Sequence, residues 1–191
     1  MPQVNKSYVL IALSLNFAPV QKVLEGTSLS EASLAERESI DVLEAIRVVH
    51  NLNQYSHTPN WPAILGKHLG IAAHGPVGYA TISAPSVGRA LSTFVEWSQI
   101  RYDSYAGKVI EKDETFEVVI TDTSNDLVYQ EFFFEAFMRA FEVLIALIIG
   151  HSPKGETELH FKTAAENRKQ LMEAEYDSRL YFEGEANKLV I

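Results

Sequence analysis

The fold of this protein depends on one long apolar segment, Leu127-Val-Tyr-Gln-Glu-Phe-Phe-Phe-Glu-Ala-Phe-Met-Arg-Ala-Phe-Glu-Val-Leu-Ile-Ala-Leu-Ile-Ile149. Its charged residues recur at helical spacing as one narrow stripe: Glu131, Glu135, Arg139 and Glu142. The segment is therefore predicted to be a single helix, ended by Gly150 and Pro153. Because charges interrupt it, no window of about 18 uncharged residues is left to span a membrane.

The wide apolar surface of this helix has two interpretations. In the first, it is a core helix buried on most of its circumference, with Glu135 and Arg139 able to pair one turn apart. In the second, part of the surface lines a ligand cavity or covers a dimer interface. For the second interpretation, the aromatic residues Tyr129 and Phe133 are candidate ligand-binding residues.

Further candidate ligand-binding residues stand at the end of the preceding predicted helix. Trp97, Arg101 and Tyr102, followed by Tyr105, combine aromatic rings with one cation. Arginine is suited to a bidentate contact with a carboxylate, so this cluster is a candidate site for a carboxylated ligand. Stacking of Arg101 on an aromatic ring at the surface explains the same residues without any ligand.

Around the long helix, the remaining patterns predict an α+β fold. Residues 1–75 read as short helices, whereas residues 76–191 alternate strands and helices. The predicted elements of this second part are a strand over Gly78-Tyr-Ala-Thr-Ile-Ser83, a helix capped by Ser86, a hairpin within 109–120, a strand at 159–161, a helix over 164–174 and a hairpin around Glu183-Gly184-Glu185. The expected architecture is one domain over 1–191, with a helical N-terminal part and a mostly antiparallel sheet packed by the long central helix.

The composition excludes several function classes. The chain has 191 residues and a net charge of −9, and residues 111–142 hold nine acidic side chains against Lys112 and Arg139. Because nucleic-acid binding relies on basic side chains that neutralise phosphates, the chain itself is not expected to bind DNA or RNA. The sequence has no cysteine, which excludes disulfides, thiolate catalysis and cysteine-based zinc sites.

Motifs of common catalytic and cofactor sites are missing. The glycines Gly70, Gly75 and Gly78 lie between a predicted helix and a predicted strand, which is the reverse of a phosphate-binding loop. His68 and His74 are six residues apart and lack the spacing of a helical zinc pair. A Gly-x-Ser-x-Gly nucleophile elbow is absent. We therefore expect neither an enzyme nor a bound metal or other cofactor.

The start of the sequence bears on where the protein is found, and its end bears on whether the chain was cut at a domain boundary. Tyr8-Val-Leu-Ile-Ala-Leu-Ser-Leu15 is predicted to be an opening amphipathic helix and not a signal peptide, since one charge precedes it and no small-residue cleavage pattern follows. A cytoplasmic protein that does not enter the membrane is expected. Leu189-Val190-Ile191 is either a short terminal strand or the sign of a cut at a domain boundary, which we favour because natural termini are more often polar.

Three stretches in the middle of the chain resemble a known family: Trp61-Pro-Ala-Ile-Leu-Gly-Lys-His-Leu-Gly70, Gly75-Pro-Val-Gly-Tyr-Ala80 and Ser83-Ala-Pro-Ser-Val-Gly-Arg-Ala-Leu91. In this order they resemble the N-terminal sensor domain, often labelled arabinose-binding-like, of AraC/XylS-type transcriptional regulators such as the ornithine-utilisation regulators. The segments Asn16-Phe-Ala-Pro-Val-Gln-Lys-Val-Leu24 and Leu180-Tyr-Phe-Glu-Gly-Glu-Ala-Asn-Lys-Leu189 also resemble the family's opening helices and closing strands, so the resemblance covers nearly the whole chain.

The resemblance implies a cytoplasmic effector-sensing domain of a transcription regulator. In the family, two C-terminal helix-turn-helix units bind DNA. This sequence contains no such segment, so DNA is expected as a partner only through the missing C-terminal domain. The family's glycines are structural, so Gly70, Gly75, Gly78 and Tyr79 are expected to be fold positions. The expected partner is a small-molecule effector, such as an amino acid or small carboxylate, and homodimer formation is left open. The alternative is a dimerisation or interaction module without a ligand.

Overall fold

The computed structural model describes residues 3–101, 105–122, 126–164 and 168–191, with only the backbone of residues 100 and 101. The architecture is α+β, as the sequence predicts. The helices are α1 (Ser7–Ser14), α2 (Val20–Val23), α3 (Glu31–Glu36), α4 (Val42–Tyr55), α5 (Trp61–His68), α6 (Pro76–Ile82), α7 (Val87–Arg101), α8 (Leu127–Ile149) and α9 (Lys169–Glu173), with a 3-10 helix over Ile71–His74. The strands are β1 (Gln3–Asn5), β2 (Ser39–Asp41), β3 (Tyr105–Glu111), β4 (Phe116–Asp122), β5 (Glu158–His160), β6 (Arg179–Tyr181) and β7 (Asn187–Val190).

The larger sheet has five strands in the order β3-β4-β7-β5-β6. Its neighbouring strands are antiparallel except for β5 and β6, so the predicted mostly antiparallel sheet is confirmed. The predicted hairpin is confirmed by the pairing of β3 with β4. The C-terminal strand β7 lies in the middle of the sheet, and Ile191 exchanges two backbone hydrogen bonds with Phe116, at 2.7 and 3.0 Å. A second, two-stranded sheet pairs β1 with β2.

The long helix α8 has the ends that the sequence predicts. At its start, the Asp126 carboxylate accepts a hydrogen bond from the Tyr129 backbone N–H at 2.9 Å, which satisfies one of the free N–H groups of the first turn. At its end, Gly150 adopts a left-handed conformation with φ of 81°, which glycine accepts without the penalty of a Cβ atom. Local sequence signals therefore account for the bounds of α8.

Two hydrophobic clusters meet at α8. One gathers α8 residues such as Phe141 and Leu144 with the sheet and α7. The other gathers Tyr129 and Ala140 with the helices of the N-terminal part. Helix α5 lies so close to α8 that a Cβ on Gly66 would overlap the carbonyl oxygen of Ala136. The single long helix is thus shared by both halves of the core.

The predicted strand over residues 78–83 is wrong, because residues 78–82 belong to helix α6 and Ser83 is its C-cap. Pro76 stands in the first turn of α6, and Gly75 before it has a positive φ of 60°. Val77 and Thr81 lie one turn apart and are both buried, whereas Tyr79 between them is exposed, which matches helical and not strand periodicity. Tertiary packing therefore overrides the strand propensity of Tyr-Ala-Thr-Ile. Helices continue past residue 75 to Arg101. The glycine segment therefore leads from one helix into another, and the predicted order of a helix before it and a strand after it is wrong.

The predicted hairpin around Glu183-Gly184-Glu185 is also wrong. Strand β5 lies between β6 and β7 and pairs with both of them. The connecting segment is held across the end of β5, because the Gly184 N–H donates to the Phe161 carbonyl oxygen at 2.9 Å. The helix predicted over 164–174 is shorter, Lys169–Glu173, and residues 165–167 fall outside the described residues.

Candidate functional site

A cavity of about 80 Å³ lies beside α8, on the side of the N-terminal helices. Helix α8 presents to it what we call the cavity face: Tyr129, Phe132, Phe133, Ala136, Phe137 and Ala140. These positions follow helical periodicity, so they project from one side of α8. The two alanines, Ala136 and Ala140, have short side chains and leave space where larger residues would fill it.

The other walls come from elements that are far apart in the chain. In α4, the lining residues Ala45, Val48, Val49 and Leu52 recur at the spacing of one helix face. The remaining lining residues are Val4 before α1, Tyr8, Val9 and Ala12 of α1, Trp61 and Leu65 of α5, the adjoining Leu69, His74 of the 3-10 helix, and Phe94 and Ser98 of α7. Five helices and the 3-10 helix therefore contribute to the cavity.

Aromatic rings follow one another along these walls. Trp61 stacks on Phe132 with ring centres 4.9 Å apart, and Phe133 stacks on Phe137 at 5.3 Å. Further contacts continue the series at ring-centre distances of 5.6 Å for Phe94–Phe137, 5.2 Å for His74–Phe94 and 6.3 Å for Tyr8–His74. Such contacts stabilise aromatic pairs beyond the burial of their area. The walls are thus built from interlocked, flat apolar surfaces.

The described lining residues include few polar side chains and no Asp, Glu, Lys or Arg. The polar ones are Tyr8, His74, Ser98 and Tyr129. A ring nitrogen of His74 lies 3.2 Å from the Leu69 carbonyl oxygen. Burial raises the pKa of Tyr129 well above its ordinary value, and the nearby Asp122 and Tyr8 raise it further. At neutral pH the Tyr129 hydroxyl is therefore protonated and able to donate a hydrogen bond.

A different face of α8 carries its buried charges; we call Glu135, Arg139 and Glu142 the ionic face. Glu135 accepts two hydrogen bonds from Arg168, at 2.8 and 2.7 Å. Burial raises the pKa of Glu135, and Arg168 opposes that effect. Glu142 is completely buried, pairs with Arg139 and accepts hydrogen bonds from the backbone N–H and hydroxyl of Ser178. The predicted Glu135–Arg139 pair is thus wrong, because each partner has a different counter-ion.

The structure separates the predicted site residues. Tyr129 and Phe133 line the cavity. Trp97 is half exposed on α7 and is not a lining residue. The side chain of Arg101 and all of Tyr102 lie outside the described residues. Tyr105 is buried on β3, where its ring packs against Phe133 and Phe137, at 5.9 and 5.4 Å.

Sequence reasoning missed Tyr8, Trp61, His74 and Ser98 as lining residues. For Ser98 a signal exists, because it follows Phe94 by one turn and so interrupts the apolar face of α7 with a hydroxyl. Tyr8 and Trp61 carry no such signal. Only the packing of α1 on α5, and of α5 on α8, brings them to the cavity.

The residues predicted as fold positions surround the 3-10 helix and α6. At Gly78, a Cβ would overlap the carbonyl oxygen of Ile71, so this glycine permits close packing of α6. At Gly70, the same atom would meet nothing within 4 Å. Gly75 has the positive φ described above, and Tyr79 is 57% exposed.

Within residues 3–101, 105–122, 126–164 and 168–191, no group of three or more His, Asp or Glu side chains is arranged to hold a metal ion. Over the same part of the chain, no helix combines the length and apolar character that crossing a membrane requires.

A comparison with known protein families identifies the chain. The family model described as the arabinose-binding domain of AraC transcription regulators, N-terminal, matches residues 18–191. This is a family of regulator ligand-binding domains and not of enzymes. The match does not distinguish the ornithine-utilisation subgroup, which stays a prediction. A search of curated proteins found no match. The chain belongs to the family of N-terminal arabinose-binding domains of AraC transcription regulators and is a regulatory sensor domain.

Proposed function

We propose that this sensor domain binds a small-molecule effector in the cavity beside α8 and thereby controls DNA binding by a C-terminal helix-turn-helix domain. The single observation that carries the proposal is this cavity, lined mostly by buried aliphatic and aromatic side chains, in a domain from a ligand-binding regulator family. A concave, mostly apolar site with a few polar groups is typical of small-molecule binding, and a dimerisation module without a ligand does not require one. The expected setting is the cytoplasm, and homodimer formation is compatible with the proposal.

The arrangement suggests how occupancy would be transmitted. The cavity is bounded by the N-terminal helices on one side and by α8 on the other. A ligand that contacts both sides favours the arrangement in which they fit around it, and it shifts the population of the regulator by its difference in affinity for two arrangements. Helix α8 also contacts Arg168 and Ser178 through its ionic face. A shift of α8 would therefore change contacts near the sheet.

The test is a binding screen with a matched pair of variants. Thermal shift and calorimetry are used with sugars, with amino acids and carboxylates, and with small uncharged compounds. Ala45→Leu extends a side chain from α4 into the cavity, whereas Ala80→Leu makes the same change at an exposed position of helix α6. We expect at least one compound to raise the Tm of the native protein and of Ala80→Leu, and to lose its effect on Ala45→Leu.

Circular dichroism first establishes that both variants are folded. The proposal is overturned if no compound of any class binds, or if Ala45→Leu binds every hit as tightly as the native chain does. For the DNA-binding half, the coding sequence downstream of the Ile191 codon is expected to encode two helix-turn-helix units. A different domain there would contradict the proposed control of DNA binding.

A further inference from the structure

The chemistry of the cavity wall points to a class of effector. We infer that the cavity takes a small uncharged molecule with an apolar body, no larger than a single ring, and one hydrogen-bonding group. This inference rests on the proposed function, because it names the ligand of the same cavity. It departs from the sequence-based expectation of an amino acid or small carboxylate, and also from a sugar.

The lining of the cavity restricts the charge of its ligand. An ionised group that enters an apolar interior loses its hydration and needs a paired counter-ion. Among the described lining residues there is no Lys or Arg to pair with a carboxylate, and no Asp or Glu to pair with an ammonium group. The buried Glu135 and Glu142 are on the ionic face of α8, where Arg168 and Arg139 already bind them.

The lining also restricts the number of hydrogen-bonding groups on the ligand. A sugar presents several hydroxyl groups, and each one that is buried requires a partner. The polar side chains of the described lining are the four named above, against sixteen lining residues with apolar or aromatic side chains. Trp61 offers only its ring to the cavity, because its indole N–H donates to Asn53 at 3.0 Å. Such a lining leaves most hydroxyls of a sugar without partners.

The polar side chains of the lining offer partners for one polar group. The rings of Tyr8 and His74 are 6.3 Å apart, and Tyr129 lines the same cavity. The wall formed by Leu52, Trp61 and Leu65 is apolar. A ligand with one polar group can place that group beside a tyrosine or His74, with the rest of its surface against apolar side chains.

The volume of the cavity restricts the size of the ligand. The cavity of about 80 Å³ is several times the roughly 10–15 Å³ that one water molecule needs and about half of the roughly 150 Å³ of an engineered apolar cavity that holds benzene. A ligand with a branched chain of a few carbons is therefore a suitable occupant. A six-membered ring enters after small shifts of the surrounding side chains.

The experiment compares neutral and ionised compounds of matched shape. Isobutanol is paired with isobutyrate, phenol is paired with benzoate, and L-arabinose and L-ornithine represent the other classes. Calorimetry at pH 7 is expected to give each neutral member of a pair a Kd at least about tenfold lower than that of its ionised partner. Binding of the neutral compounds is expected to be lost in Ala45→Leu and kept in Ala80→Leu.

A second variant tests the polar end of the site. Tyr129→Phe removes one hydroxyl and keeps the aromatic wall. It is expected to raise the Kd of phenol about fivefold or more. The Kd of benzene, which has no hydrogen-bonding group, is expected to stay within about twofold of its value for the native chain. Equal effects on phenol and benzene would mean a purely structural role for Tyr129 and would contradict the assigned polar end.

The two proposals fail in different ways. If L-arabinose, L-ornithine or a carboxylate binds more tightly than the neutral probes, and Ala45→Leu abolishes that binding, the proposed function stands and the inferred ligand class is overturned. If no compound binds the native chain, the proposed function itself fails.

Discussion

The cavity face and the ionic face of α8 are buried in different ways. On the cavity face, Ala136 and Ala140 leave space that no protein atom fills. On the ionic face, every carboxylate has a specific partner, as with Arg168 on Glu135 and Ser178 on Glu142. Apolar contacts are non-directional and tolerate adjustment, whereas a buried charge without its partner is strongly unfavourable. The ionic face therefore depends on specific partners, whereas the cavity face packs into both hydrophobic clusters and still leaves the space in which we propose that a ligand binds.

Glu142→Ala tests the role of the ionic face and is expected to have the largest effect on stability. Glu142 is fully buried, so its removal leaves the Arg139 guanidinium and the Ser178 N–H without their acceptor. We expect the free energy of unfolding to fall by about 3–5 kcal/mol, measured by urea denaturation. The matched control is Glu131→Ala on the exposed side of the same helix, with a change within about 0.5 kcal/mol. Equal effects of the two variants would contradict the structural role of the ionic face.

The pH dependence of the stability of Arg168→Met tests whether the charge of Arg168 stabilises the buried Glu135 carboxylate. In the native chain, burial raises the pKa of Glu135 and Arg168 lowers it, with a net rise. Loss of Arg168 raises this pKa further, so the folded state binds the proton more tightly than the unfolded state does. The variant therefore loses stability as pH rises from the unfolded pKa through the higher folded one.

We expect a loss of about 1–2 kcal/mol at pH 7 and a clearly smaller loss at pH 4, because Glu135 is then largely protonated. Partial exposure of Arg168 keeps the value below that of a fully buried pair. Urea denaturation of native and variant protein at the two pH values measures this difference. A loss that is the same at both pH values would show that packing of the arginine side chain, and not its charge, is responsible.

The smallest expected effect is that of Trp97→Ala, and it tests the sequence-based site. Trp97 is 50% exposed and is not among the cavity-lining residues, so the free energy of unfolding is expected to change by no more than about 0.5–1 kcal/mol. The Kd of any compound that binds in the cavity is expected to stay within about twofold. A large loss of affinity, measured by calorimetry, would restore the cluster of Trp97, Arg101 and Tyr102 as the ligand site.

Of the twenty described residues that line the cavity, sequence patterns selected two as candidate ligand-binding residues, Tyr129 and Phe133. Tyr129 and Phe133 could be selected because they belong to an apolar surface too wide for a helix that covers one layer. Trp97 was selected for its chemistry, but its exposure is decided by the angle at which α7 packs. Tyr8, Trp61 and His74 come from separate elements, and their meeting is a matter of three-dimensional packing.

The sequence by itself determined α8 from Leu127 to Ile149, its end at Gly150, and the β3–β4 hairpin, because these depend on helix periodicity, strand alternation and the residues at their ends. Only the tertiary structure decided that residues 76–82 form a helix, that β7 lies between β4 and β5, and which partner each buried charge of α8 takes. These features arise from contacts between residues far apart in the chain, which no local pattern records. The cavity belongs with them, since its walls exist only when five helices and the 3-10 helix pack together.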